Sequence, residues 1–143
     1  MTDDDLYTLI GQLQRHEGVR LKPYRDTVGK LTIGVGRNLD DVGISEEESD
    51  MLLSNDIAAA GDDLARVFPW FRTLDSVRQA ALVNLRFNLG LRRLLTFEKA
   101  LRAMADGQYG VAAVEFLDSK WAAQVGIRAV ELCVQIRTGE WQA

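Results

Sequence analysis

The chain has 143 residues, is 47% apolar and 27% charged, and carries a formal net charge of −4. This length suits one domain, and the composition excludes the disordered, collagen-like and disulfide-rich classes. Residues 1–71 carry seven basic against fourteen acidic side chains, which argues against general nucleic-acid binding. The single cysteine, the acidic first residues and the lack of an apolar run of membrane-span length lead us to expect cytoplasmic synthesis, with no signal peptide and no stable membrane insertion.

The first part of the chain predicts a helix followed by a small sheet. Thr2 is placed to cap a helix that ends near Gly18, and its apolar residues recur at helical spacing and are expected to bury one stripe: Leu6, Leu9, Ile10 and Leu13. Over Leu21–Leu39 the strand-forming residues and a tight turn at 27–30 predict a hairpin or a three-stranded sheet.

A long helix is predicted next. Ser45 and Glu48 form the sequence pattern of a capping box, and the helix is expected to run over 46–67 and to end before Pro69. At ~1.5 Å per residue it would be about 33 Å long. This length suggests a connection between two lobes.

The remainder predicts an all-helical lobe. Asp75 is expected to cap a helix that is apolar on nearly all sides and therefore central in a bundle. Three or four more short helices are expected after it, and Gly139 is expected to end the last one. The predicted fold is α+β and mostly α, as one domain over 1–143: a small lobe over about 15–45, the connecting helix over about 46–67, and a helical lobe over about 68–143 that includes helix 3–15.

The densest group of chemically active side chains lies at 16–36. Glu17 is expected at the end of the first helix, while Asp26 and Thr32 flank the hairpin turn and are brought together by it. Glycosidic hydrolysis needs one protonated and one ionised carboxyl group. The helix end favours the protonated form of Glu17, whereas the turn amides and the Thr32 hydroxyl are expected to keep Asp26 charged. Spacing alone leaves the alternative open that both carboxylates are surface charges.

This stretch closely resembles the catalytic stretch of the phage-type lysozymes, glycoside hydrolase family 24. The order and spacing are Glu, eight residues, Asp, five residues, Thr, followed by Ile33-Gly34-Val35-Gly36. The likeness extends over nearly the whole chain, through 40–45, 84–90, 119–121 and 137–141. It implies a lysozyme-like fold.

The resemblance implies an endolysin-type muramidase that hydrolyses the β-1,4 bond between N-acetylmuramic acid and N-acetylglucosamine in bacterial peptidoglycan. Glu17 is then the general acid, and Asp26 with Thr32 activates a water, with inversion expected. Arg128 falls where the family pairs an arginine with the catalytic glutamate. A supporting catalytic role and a purely structural one are both open for Arg128.

The resemblance also implies that Asn38, Phe87, Asn88 and Gln124 bind substrate. Core packing is the favoured alternative for Phe87, and turn closure is an alternative for Asn38. Tyr24, Trp121 and Trp141 are interpreted as packing residues, and His16 as a solvated or capping one. The residue after Gly36, often His in the family, is Arg37, and we expect it to pair with Asp56.

The expected partner is the peptidoglycan glycan strand, without nucleic acid, metal or cofactor. We expect a monomer that is made in the host cytoplasm and depends on a holin for access to the wall. Two other readings are kept open: a lytic transglycosylase that cleaves the same bond without water, and a catalytically silent wall-binding module. The mildly basic second half is either a surface that faces a polyanion or an unevenly charged solvated surface.

Overall fold

The computed structural model describes residues 1–142. The chain divides into two compact units, an N-terminal unit Met1–Leu52 and a C-terminal unit Leu53–Ala143. The helices and strands follow in the order α1 (Asp3–Glu17), β1 (Arg20–Arg25), β2 (Leu31–Gly34), β3 (Arg37–Asn38), α2 (Glu46–Val67), α3 (Ser76–Leu89), α4 (Leu91–Leu94), α5 (Glu98–Ala105), α6 (Tyr109–Leu117), α7 (Lys120–Val125) and α8 (Ile127–Thr138). This confirms the prediction of an α+β, mostly α fold. The finer lobe boundaries, including the placement of α1 with the helical lobe, stay a prediction.

Helix α1 begins and ends where the sequence predicts. The Thr2 hydroxyl accepts a hydrogen bond from the Asp5 amide at 3.1 Å, and the Asp5 carboxylate accepts one from the Thr2 amide at 2.9 Å. This reciprocal capping satisfies two backbone donors that the first turn leaves free. At the other end Gly18 stops the helix with φ 77°, in a region that glycine adopts without steric cost.

The expectation that α1 buries an apolar stripe is wrong. Leu6, Ile10 and Leu13 remain 43–45% exposed, and α1 has no buried residue. The physical reason lies in the N-terminal unit itself, where Thr32 is the one buried residue. This unit has no apolar core of its own to receive the stripe.

The small sheet confirms the three-stranded prediction. Its antiparallel order is β1-β2-β3, with Tyr24 opposite Thr32 and Thr32 opposite Asn38. Helix α2 matches the predicted bounds, and the Ser45–Glu48 capping box is present: the Glu48 amide donates to Ser45 Oγ at 3.1 Å and the Ser45 amide donates to Glu48 Oε2 at 2.9 Å.

The C-terminal unit holds the apolar core, to which α3, α5, α6 and α8 contribute most of the fully buried side chains. Asp75 caps α3 as expected, but the expectation that this helix is buried on nearly all sides is wrong. Its buried residues Ala81, Leu82, Leu85 and Leu89 share one face. Asn84 and Phe87 lie on the opposite face and are exposed.

Five helices follow α3 in the described residues, which is more than the three or four expected. The additional one is the single-turn α4, which begins directly after Gly90. Gly139 ends α8 as predicted, with φ 73°. No helix in residues 1–142 combines the length and apolar character that a membrane span requires.

Candidate active site

Glu17 is the last residue of α1, and its side chain is exposed. The carboxyl group lies against the turn between β2 and β3, because a Cβ built on Gly36 would stand 3.5 Å from Glu17 Oε2. Gly36 has φ 73°, a conformation that a residue with a side chain rarely adopts. The backbone conformation is therefore the reason for a glycine at this position, since a Cβ here would stand at ordinary van der Waals distance from the carboxyl group.

Asp26 begins the turn between β1 and β2, and the backbone of that turn holds its carboxylate. Oδ1 accepts hydrogen bonds from the Val28 amide at 3.0 Å and from the Lys30 amide at 2.8 Å. Within residues 1–142, Oδ2 has no hydrogen-bond partner. The expected hydrogen bonds from the turn amides are thus present, and they occupy only one of the two carboxylate oxygens.

Thr32 lies in β2 and is 3% exposed. Its hydroxyl donates to the Lys30 carbonyl oxygen at 2.9 Å, and the Asp26 amide donates to the same oxygen at 2.9 Å. The turn therefore brings Asp26 and Thr32 together as expected. The expected direct support of the Asp26 charge by the Thr32 hydroxyl is wrong, because that proton is bonded to the Lys30 carbonyl.

Asn38 lies opposite Thr32 in the sheet and closes a turn, which was the alternative considered for it. Its side-chain oxygen accepts from the Asp41 amide at 3.0 Å, and its side-chain nitrogen donates to Asp41 Oδ2 at 2.9 Å. A role of Asn38 in substrate binding stays a prediction.

The expected pairing of Arg37 with Asp56 is wrong, since the structure pairs Arg37 with Glu48. Two guanidinium nitrogens each donate to a Glu48 oxygen at 2.8 Å, and one also donates to the Gly43 carbonyl at 3.2 Å. Arg37 and the Ser45 cap lower the pKa of Glu48 from 4.5 to about 2. This ion pair connects the start of β3, directly after Gly36, to the start of α2.

In the C-terminal unit, Phe87 and Arg128 line one cavity of about 740 Å³. The expectation of core packing for Phe87 is wrong, because the ring is 43% exposed and projects from the open face of α3. Trp141 lines the same cavity and is 64% exposed, so its interpretation as a packing residue is also wrong. Trp121 is 3% exposed, which confirms packing for that residue.

Arg128 is held by a residue to which the sequence assigned no role. Its Nε and one terminal nitrogen donate to the side-chain oxygen of Asn84 at 3.1 and 2.7 Å. Asn84 stands on the open face of α3 and lines the same cavity. Asn84 lies in the stretch 84–90, which resembles the phage-type lysozymes. That resemblance is the signal by which the sequence could have indicated a role for Asn84. The supporting role implied for Arg128 stays a prediction.

The other two residues implied in substrate binding lie outside that cavity. The Asn88 side-chain oxygen accepts a hydrogen bond from the Trp121 indole, which ties it to the core. Gln124 is exposed on α7. Among the described residues, no group of three or more His, Cys, Asp or Glu is arranged to hold a metal ion.

Two carboxyl groups in different surroundings therefore belong to the N-terminal unit. One is exposed at a helix end and lies beside a glycine turn, and the other is fixed by two backbone amides beside a buried threonine. Hydrolysis of a glycosidic bond uses two carboxyl groups, and both of the predicted ones lie in this unit.

Comparison with known proteins finds similarity to lysozymes. Residues 14–138 match the family model described as phage lysozyme. The chain is 26% identical over 160 aligned positions to "Probable T4-type lysozyme 1" of Dictyostelium discoideum, covering 92% of this chain and 94% of that protein. It is 32% identical over 119 positions to an "Endolysin" of Acyrthosiphon pisum secondary endosymbiont phage 1, covering 77% of this chain and 74% of that protein.

A third similarity involves a larger protein. The chain is 29% identical to the "Pre-baseplate central spike protein Gp5" of Enterobacteria phage T4, and the match covers 99% of this chain but 30% of that protein.

Proposed function

The chain belongs to the phage lysozyme family, and from that premise we propose that Glu17, Asp26 and Thr32 hydrolyse the β-1,4 bond between N-acetylmuramic acid and N-acetylglucosamine. At the coarser level the chain is a lysozyme, a hydrolase of bacterial peptidoglycan.

Glu17 is the general acid in this proposal. Its exposed carboxyl group gives its proton to the glycosidic oxygen, so that the bond to the muramic acid C1 breaks and the leaving sugar keeps its electrons as a hydroxyl group. The carboxyl group lies beside the turn between β2 and β3 that contains Gly36. A general acid must come within hydrogen-bond reach of the oxygen that it protonates, and the exposure of Glu17 leaves its carboxyl group open to substrate.

Asp26 and Thr32 orient the water, and the hydrogen bond from Thr32 to Lys30 is the observation that carries this step. Because the Thr32 hydroxyl uses its hydrogen in the bond to the Lys30 carbonyl, the Thr32 oxygen remains free as an acceptor. Oδ2 of Asp26 is the second acceptor. A water that donates one hydrogen to each points its lone pair away from both, and its attack on C1 transfers a proton to Asp26. Attack from the face opposite the leaving group inverts the anomeric centre.

The test is the chemistry of the product. Purified peptidoglycan is digested with the wild type, Glu17→Gln and Asp26→Asn, and the muropeptide ends are identified by mass spectrometry. Asp50→Asn is the control, because Asp50 is exposed and makes no side-chain hydrogen bond within residues 1–142. We expect hydrated reducing muramic acid from the wild type and the control, and at least a 100-fold loss in each catalytic variant, as is typical of removing a general acid or base.

The outcomes separate the alternatives. Anhydro ends identify a lytic transglycosylase, and their appearance contradicts the role of Asp26 and Thr32. No release from chemically stripped peptidoglycan at low salt leaves a catalytically silent wall-binding module. NMR observation of the first-formed anomer tests inversion, and a retained anomer contradicts the water-activation step.

We propose the endolysin mode of action for the chain, in which a monomer is made in the host cytoplasm and reaches the wall through a holin-type membrane lesion. The similarity to an endolysin supports it. Expression in a bacterial host is expected to cause lysis only after the membrane is permeabilised. Lysis without permeabilisation contradicts the holin dependence, and light scattering of the purified chain tests the monomer.

A further inference from the structure

One peptide group, the one that joins Lys30 to Leu31, holds the two residues of the water-activation step together. Its carbonyl oxygen accepts hydrogen bonds from the Asp26 amide and from the Thr32 hydroxyl, both at 2.9 Å. Its N–H, from Leu31, donates to Oδ2 of Asp40 at 2.8 Å. Asp40 is thus bonded to the far end of the group on which both Asp26 and Thr32 depend.

Asp40 reaches this peptide because the chain continues alongside β2 after β3 ends. The Leu39 amide donates to the Leu31 carbonyl at 2.7 Å, and the Asp40 carboxylate then takes the Leu31 N–H that a longer third strand would have bonded through its backbone. Arg25 holds the other side of the turn, since it donates to the Gly29 carbonyl at 3.0 Å and lies 3.8 Å from Asp40 Oδ2.

We infer that Asp40 is a positioning residue for the hydrolysis, acting through the Lys30–Leu31 peptide on Asp26 and Thr32. The inference rests on the proposed function. A carboxylate that accepts from a peptide N–H forms a charge-assisted bond, and it polarises the peptide so that its carbonyl becomes a stronger acceptor. The Asp26 amide and the Thr32 hydroxyl are then held more firmly, and the Thr32 oxygen becomes a better acceptor for the attacking water.

The neighbouring acid makes different contacts. Asp41 accepts from Lys30 Nζ at 3.0 Å and from the Asn38 side chain at 2.9 Å, so its carboxylate holds side chains and not the backbone of the turn. Of this adjacent pair, Asp40 is the residue whose carboxylate is connected to the shared carbonyl.

The experiment compares kcat and KM of Asp40→Ala and Asp40→Asn on a soluble peptidoglycan fragment, with Asp50→Ala as the control that removes one exposed acid from the same unit. Asp40→Ala is expected to lower kcat by on the order of 10–100-fold with KM within about twofold. The reason is that Asp26 and Thr32 would be misplaced, and their proposed role is to orient the attacking water and not to bind the sugar. Asp40→Asn retains an acceptor oxygen but not the charge, and is expected to recover most of the loss. Asp50→Ala is expected to match the wild type.

Backbone amide NMR supplies a readout that separates positioning from general destabilisation. Loss of the Asp40 carboxylate is expected to move the Leu31 and Asp26 amide resonances, with Asp40→Asn between the wild type and Asp40→Ala. If Asp40→Ala does not fold, Asp40→Glu takes its place, since it keeps the charge but displaces the carboxylate and is expected to lower kcat.

Equal kcat in the wild type and in the variants that remove or displace the Asp40 carboxylate overturns the inference and leaves the proposed function intact. A loss of kcat with an unmoved Asp26 amide resonance also overturns it. If the wild type itself releases no hydrated ends, the proposed function fails first, and the inference fails with it.

Discussion

The two units of the chain are stabilised by different kinds of interaction. In residues 1–52 the one buried residue is a threonine, and the turns are fixed by carboxylates that bind backbone amides and by ion pairs. The C-terminal unit has a continuous core of buried leucine, alanine, phenylalanine and other apolar side chains. Polar bonds are directional and hold individual groups in place, whereas apolar packing supplies most of the folding free energy. The proposed catalytic groups all belong to the unit that is rich in directional bonds.

The largest expected effect is the loss of a core side chain in the C-terminal unit. Leu85 has no exposed surface, and Leu85→Ala is expected to lower the free energy of unfolding by about 2–5 kcal/mol, because a cavity remains where the side chain packed. Leu21→Ala is the matched change in the N-terminal unit, where Leu21 is 85% exposed, and its expected cost is within about 0.5 kcal/mol. Urea denaturation checks both, and equal costs would contradict the comparison.

The sequence was sufficient to predict the helix boundaries and the hairpin that are determined by residues close together in the chain. The caps at Thr2, Ser45 and Asp75 and the glycine stops at Gly18 and Gly139 act within a few residues of a helix end. The starts of α1, α2 and α3 and the ends of α1 and α8 were therefore predictable. The hairpin followed from strand-forming residues on both sides of a tight turn. These interactions are complete within short stretches and need no knowledge of the tertiary fold.

The errors concern contacts whose partner is chosen by tertiary structure. Arg37 has several acidic residues within reach along the chain, and the placement of β3 beside the start of α2 selects Glu48 over Asp56. The apolar faces of α1 and α3 show the helical period, but the period does not say what covers each face. The Lys30–Leu31 peptide acts through its backbone atoms, which residue types do not indicate. Its central place in the candidate site could therefore not be predicted from the sequence.

A smaller effect on the free energy of unfolding is expected from an arginine that connects α3 to α8 within the C-terminal unit by polar bonds. Arg78 donates to the Ile136 and Arg137 carbonyls at 2.6 and 3.1 Å and its guanidinium carbon lies 3.8 Å from the centre of the Tyr109 ring. Arg78→Ala is expected to cost about 2–3 kcal/mol, since charged donors to partly buried carbonyls are lost.

Two controls locate the source of that loss. Arg78→Lys retains the charge without the planar fork and is expected to restore only part of the stability. Arg72→Ala removes an exposed ion pair with Asp62 and is expected to cost less than about 1 kcal/mol. A cost for Arg78→Ala no larger than for Arg72→Ala would show that the α8 carbonyls gain nothing from Arg78.

The smallest expected effect is the acid sensitivity that the Arg37–Glu48 pair gives the N-terminal unit. Folding lowers the pKa of Glu48 from 4.5 to about 2, with the bonds from Arg37 as the largest cause. Because the folded pKa is depressed, the pair contributes its full stability above pH 4.5 and loses it as the pH falls towards 2. Glu48→Gln is therefore expected to lower Tm at pH 6 and to show a smaller further fall of Tm between pH 6 and pH 3 than the wild type.

Glu47→Gln, which leaves the Arg37–Glu48 pair in place, is expected to keep the wild-type fall of Tm between those two pH values. If Glu48→Gln and the wild type lose the same Tm between pH 6 and pH 3, the pair makes no proton-linked contribution to folding. The Arg37–Glu48 pair would then fix the geometry where β3 meets α2 without adding proton-linked stability, which would widen the difference between the two units.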